Sequence, residues 1–583
     1  MVLRQFMPVA LFISAVAAIL AALTLPLMGP IGPFYWDTVI YYDAAARIAN
    51  GQVPSVDFQT PVGPLGYWLF YIVMQFAPDA QGLYAASWST LLVTGPIMAL
   101  VVAEVGRKAP GKAAIIAVPF LFFSVLPFNI EQFYPYPGAD GFGIYNRQTS
   151  QLLYVLLASL LFLSRPIFLV LSIALVLLAL FLMKITGFVV ALPLVALAAV
   201  TGRLSLKGAG GVAAIFSGFL LALEVTTGLV SAYVEDIIEL LVMNEHSLIL
   251  GVAKAMVTHA SIVLTTIGLA ICLFWIDRAV WLQRLDAVVT HRSWSAVRAS
   301  LDSPVAWLGA ALVAGILFES QNWGGQAFIF LWPAVVFCLS RIKSWKRGGH
   351  FAVAAFAAAT LLPPVTEIGG RAVRSYVAQL HYVTLDAPEL GPLARVTQHK
   401  DVFARAGLMR DLSVDHPDFY ASVADANALP NFLLYAEPEF QANWLETIAA
   451  GVNAIERYEA RTNERFETIL SLNFVNPFPY LMERQAPRHV SIGADPFRTI
   501  PQPDAETIAA LQNTDLVLWP RCIVTNANRR IRDIYQPGLE NRRRIRLSRC
   551  WDGLVPAGST VLEADLRTEG RAASKAHRLH RKQ

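Results

Sequence analysis

The sequence predicts a polytopic α-helical membrane protein of about eleven spans that ends in an extracytoplasmic α/β domain. Three observations predict it. Hydrophobic residues make up 55% of the chain and charged ones only 15%, whereas a soluble domain carries about a quarter charged residues. The charge is also segregated: residues 1–365 are mostly long apolar runs, and residues 370–583 carry an ordinary density of Asp, Glu, Lys and Arg. Finally, Lys and Arg alternate between abundant and scarce in successive loops, as they do where positive residues stay on the cytoplasmic side.

Each span is expected from a run of about 20 apolar residues, because backbone polar groups cannot be left unpaired in lipid. Such runs lie at 8–28, 82–105, 113–130, 148–164, 166–183, 185–200, 208–232, 256–275, 303–318, 326–341 and 351–368. The stretch 65–77 is apolar but short, fitting an approach to the second span or an interfacial segment. Residues 8–28 resemble a signal peptide but lack a small-x-small cleavage site, which reads as a retained first helix. With the N-terminus inside, the inner loops hold Arg107, Lys108, Lys112, Arg203, Lys207, Arg278, Arg284, Arg292, Arg298, Arg341, Lys343, Lys346 and Arg347. The outer loops hold only Arg47, Arg147 and Lys254, with Lys184 at an outer helix end. An odd number of spans puts the C-terminal region outside the cytoplasm.

The chain thus divides into a membrane domain (1–369) with a long first outer loop (29–64), an extracytoplasmic α/β domain (370–566) and a basic tail (567–583) expected to be disordered. In the α/β domain, 437–466 and 503–513 read as helices, and 467–474, 488–493 and 514–519 as strands. Outside the cytoplasm Cys522 and Cys550 can pair; the alternative is two small buried side chains. A net charge of +4 without a basic stripe excludes nucleic acid, and no Cys/His spacing suggests zinc.

The first outer loop carries the most chemistry. It reads as a helix from Thr38 to about Asn50, with Asp37 at the N-cap position and Gly51 as the stop. Capping accounts for an Asp at that point but not for Trp36-Asp37 lying just beyond the first span, nor for Asp57 before the Pro61-Val62-Gly63-Pro64-Leu65 return to the membrane. The order Trp36-Asp37, Tyr41-Tyr42, Ala45, Gly51-Gln52-Val53-Pro54, Asp57-Phe58 and Pro61 to Leu65 resembles the GT-C glycosyltransferases, which use polyprenyl-phosphate sugar donors and include protein O-mannosyltransferases and lipid A aminoarabinose transferases. The resemblance covers the first loop well and the many-helix core loosely, and no motif extends it into the C-terminal domain.

That resemblance implies a membrane glycosyltransferase of the cell inner membrane, serving cell-envelope or polysaccharide biosynthesis, with Asp37 as catalytic base. An inverting transfer from a lipid phosphate needs one carboxylate to take the acceptor's proton, and the leaving phosphate needs no acid. Cations for the phosphate are sought among Lys184 and Arg147, each of which is equally a membrane-interface anchor. Tyr41, Asp57, Tyr145, Asn146, Glu131, Asp140 and Asn322 are candidates for contacting donor or acceptor. Glu131 and Asp140 could also help Asp37 hold a divalent cation, although no cofactor is required. Partners would be the lipid donor, a glycan, lipid or protein acceptor, and membrane lipid. The competing class is a transporter or flippase for a lipid-linked substrate; the spans' interiors are almost free of charge, Glu224 excepted, which favours chemistry at the outer surface.

Overall fold

A computed structural model describes residues 2–130, 136–244, 248–321, 324–342, 347–428, 437–522 and 524–559. The basic tail and the second loop's Glu131 lie outside the described residues, as does Asn322.

Every expected span falls on a helix. Helices Gly82–Gly106, Pro166–Met183, Leu206–Thr227 and Phe351–Gln379 are each long and apolar enough to cross a bilayer, and up to seven crossings result if each sharply bent pair is one span. Others are shorter: Leu331–Arg341, at 11 residues, rises only about 16 Å, half the hydrocarbon thickness. Length therefore supports fewer independent crossings than the eleven apolar runs suggested. Lipid-facing character is clearest on Leu206–Thr227, where only 6% of the apolar window is buried against protein and Phe219, Leu221 and Val225 stand outward. Between the expected spans 208–232 and 256–275 lie the helices Leu229–Met243 and Leu248–Thr258, which meet at 86°. Leu65–Phe76 is a short helix packed on the first-loop helix.

Ile144–Phe162 is different from the rest. Asn146, Arg147, Gln148, Thr149, Ser150 and Gln151 fill its first two turns and are all buried. Burying that many polar groups is costly unless each finds a partner or a function.

The C-terminal domain contains a four-stranded sheet ordered Ile469–Ser471, Leu516–Pro520, Trp551–Pro556, Arg542–Arg546. The first pair is parallel and the other two are antiparallel. Helices Pro438–Thr462 and Ala505–Gln512 lie where the pattern predicted them. Cys522 and Cys550 form a disulfide with Cα atoms 4.9 Å apart. The expected strand at 488–493 does not form. Its donors go to the first outer loop instead: His489 N–H to Asp57 O at 2.6 Å and Ile492 N–H to Gln59 O at 3.1 Å.

The two parts are stitched together along that loop. Gly29–Pro30 pairs in parallel with Val396–Gln398, which pairs antiparallel with Val383–Thr384. Arg47, buried and paired with Asp43 at 2.9 Å, donates to Pro487 O at 2.7 Å. Gln52 donates to Ala486 O at 2.8 Å. The helix Arg347–Gln379 also runs past residue 369, so membrane part and soluble part share one continuous element.

Candidate active site

The loop helix runs Asp37–Ala49, with Trp36 rather than Asp37 at its N-cap. Asp37 does not cap. Its first turn is closed by backbone bonds, Thr38 N–H to Tyr35 O at 3.0 Å and Val39 N–H to Trp36 O at 2.8 Å. Asp37 is buried, and its Oδ1 has no hydrogen-bond partner among the described residues. Burial pushes its carboxyl up from 3.8 to about 8, against the opposing pull of the Arg147 charge and the Gly143 backbone amide. The carboxylate is bonded by the Gly143 amide and keeps one buried oxygen open, which makes it a candidate general base.

Trp36 fixes where that carboxylate lies. Its backbone N–H donates to Gln441 Oε1 at 3.2 Å, and its indole meets Phe440 and Trp444 edge-on, centroids 5.2 and 5.4 Å away. All three partners lie on Pro438–Thr462, so the soluble domain orients the start of the loop helix. One turn on, Tyr41 shares the Asp37 face; its ring packs edge-on against Tyr67 at 5.2 Å, and its hydroxyl donates to Gln148 Oε1 at 3.5 Å.

Glycines let the second outer loop press against the first outer loop and against the turn after helix Pro304–Ser320. Gly143 has φ 73°, and a Cβ there would stand 2.5 Å from Gly324 O; Gly141 would meet Phe34 O at 2.4 Å. No other residue allows both the left-handed turn and this approach. The turn brings Tyr145 and Arg147 within electrostatic reach of Asp37 and aims the Gly143 amide at that carboxylate. Lys184 closes the group from the single-residue break between Pro166–Met183 and Ile185–Thr201. Its Nζ donates to Asn146 Oδ1 at 2.7 Å and lies 4.6 Å from the Tyr145 ring centroid. Asn146 is itself held by Gly324 O at 2.8 Å, and the charge of Glu319 is felt at Lys184.

Arg147 is placed differently from a free phosphate clamp. Its Nη1 donates to Asn129 Oδ1 at 2.7 Å and Phe142 O at 2.9 Å, and its Nη2 to Asp140 O at 3.0 Å. Among the described residues its Nε is buried without a partner. The guanidinium's hydrogen bonds therefore build the loop, and its charge is what reaches Asp37.

Asp57 and Asp140 are not in the site as expected. The carboxylate of Asp57 accepts from Val53 N–H at 2.7 Å and pairs with Arg488, so it closes its own turn and docks the soluble domain. Asp140 is fully buried, accepts from Asn129 N–H at 2.7 Å and pairs with Arg371 at 2.7 Å. Both of its oxygens are engaged in holding the loop. Among the described residues no group of three or more His, Cys, Asp or Glu side chains is arranged to hold an ion.

Sequence reasoning missed Arg371, Gln148, Gln441 and Arg498. Arg498 is exposed on the C-terminal domain, its carbonyl held by Asn244 Nδ2 at 2.9 Å, and its charge is felt at Tyr145. None of these four carries a local pattern; only the fold brings them to the two outer loops.

No family model and no curated protein matches the chain. Two solved structures are similar to it. ArnT from Cupriavidus metallidurans bound to undecaprenyl phosphate has 12% identity and a TM-score of 0.39, over 95% of this chain and 99% of that one. The same protein in the apo state has 12% identity and a TM-score of 0.37, over 94% and 97%. A likeness at this level leaves function to be argued from the side chains.

Proposed function

We propose that the chain is an inverting membrane glycosyltransferase of the cell inner membrane. It moves a sugar from a polyprenyl-phosphate donor to an extracytoplasmic glycan, lipid or protein acceptor. The observation that carries this reading is the buried Asp37 carboxylate, free of any capping duty and within electrostatic reach of Tyr145 and Arg147, with Lys184 held by Asn146 and the Tyr145 ring.

In the proposed step the acceptor hydroxyl attacks the anomeric carbon. The bond from that carbon to the phosphate oxygen breaks, and its electron pair leaves with the lipid phosphate. Asp37 takes the hydroxyl proton, while Lys184, steered by Asn146 and the Tyr145 face, receives the growing phosphate charge. Arg147 holds the second loop and contributes its charge toward Asp37.

Reconstituted in liposomes with a polyprenyl-phosphate sugar and an acceptor glycan, the protein is expected to release free polyprenyl phosphate as product forms. Movement of the intact lipid-linked sugar across the bilayer, without transfer, would hand the chain to the transporter class. The base must be ionised to work, so kcat/KM is expected to rise with pH and level off above about 8. A profile flat between pH 6 and 9 would exclude Asp37 as the titrating group. Lys184→Met should weaken donor binding on the order of tenfold to a hundredfold, the value of a charge-assisted bond to phosphate. Donor titration checks this; unchanged affinity would return Lys184 to the role of interface anchor.

A further inference from the structure

We infer that the cleft between the far end of the loop helix and the C-terminal domain binds an uncharged oligosaccharide portion of the acceptor. That the bound glycan is an acceptor rests on the transferase reading above; that the cleft binds saccharide does not. The cleft is an open depression of about 470 Å³. Its walls come from two sources: Asn50 just past the loop helix, and Gln485, Pro487, Ala509, Ala510 and Asn513 from the soluble domain.

Three features select the ligand. The side chains of Gln485 and Asn513 are exposed in the wall and make no hydrogen bond among the described residues, so both amides are open to hydroxyl groups. Ala509, Ala510 and Pro487 supply small apolar surface of the kind that faces sugar C–H groups. Arg488 in the wall is paired with Asp57, and Glu506 faces His489 at 3.5 Å, so the guanidinium and the carboxylate there already have partners.

His489 gives a further sign that this wall is held in shape. Its φ is 58°, a left-handed conformation disfavoured for a side chain with a Cβ. It is kept there by Asp57 O, which accepts its N–H at 2.6 Å, and by the Thr507 hydroxyl, which donates to its carbonyl at 3.0 Å. Strain imposed from both neighbours persists where a surface must keep one geometry. The position also has a consequence for substrate length. Asp37 starts and Asn50 follows the same 13-residue helix, which spans about 20 Å at 1.5 Å per residue. An acceptor touching both ends must be several sugar units long.

The test uses the full chain in detergent, titrated without donor against maltohexaose, chitohexaose and hexagalacturonate. A neutral probe is expected to bind saturably. Gln485→Ala combined with Asn513→Ala should weaken that binding on the order of tenfold, the loss of two neutral hydrogen bonds. Both side chains are exposed and unbonded, so melting should be unchanged. Asp37→Asn should bind as the wild type does. Failure of both neutral probes, wild-type affinity in the double variant, or binding of hexagalacturonate alone would each overturn the inference. If Asp37→Asn transfers sugar normally while the cleft still binds, the transferase mechanism fails and the cleft stands.

Discussion

Asp37→Asn is expected to lose sugar transfer by a factor of about 10²–10⁴, the usual contribution of a general base, while the folded protein becomes no less stable. The second half of the expectation follows from the sign of the shift. The folded carboxyl titrates at about 8 against an ordinary value of 3.8, so between those values the native state holds a proton that the unfolded chain has released. Stability therefore falls as pH rises through that window and stays reduced above it. Asparagine carries no such slope. The variant should melt with the wild type near pH 4 and above it at pH 8 and beyond, which kcat and melting curves across that range will check. Retained transfer would remove Asp37 as the base. A variant that melts lower at alkaline pH would make the residue a structural one.

The part of the site that sequence reasoning reached is the part written in short segments. Trp36-Asp37 with Tyr41 one turn later, and Tyr145-Asn146-Arg147 at a span's start, are local patterns, and the structure brings both together with Lys184. The disulfide was legible as a possibility because only two cysteines lie outside the apolar runs. What sequence could not supply was the partner of each acid. Asp57 and Asp140 look as available as Asp37 does, yet their arginines stand 431 and 231 residues further along the chain. The segment 488–493 alternates as a strand should, but its donors had a better-placed acceptor in the first loop than in a sheet. The helix start shifted by one residue for a related reason: Trp36, anchored by Gln441, sits at the cap and frees the Asp37 side chain from that task.

Asp140→Asn should cost about 3–5 kcal/mol of stability, because removing one member of a buried ion pair leaves the other charge uncompensated. The Asp140 side chain is 0% and that of Arg371 10% exposed, too little for water to replace the missing partner. Arg371→Met should cost a similar amount for the mirror reason. The double variant Asp140→Leu with Arg371→Met should recover most of the loss, since apolar side chains of similar size often replace a buried pair at little cost. Melting of the protein in one detergent, across the cycle, measures this coupling. Catalysis should follow a different rule. Asn129 accepts from Arg147 through its side chain and donates to Asp140 through its backbone, so losing Asp140 loosens the seat of Arg147 even where the fold survives. The double variant should therefore regain stability while kcat stays depressed. A single Asp140→Asn variant that melts like the wild type and shows only a raised acceptor KM would instead put Asp140 in contact with substrate.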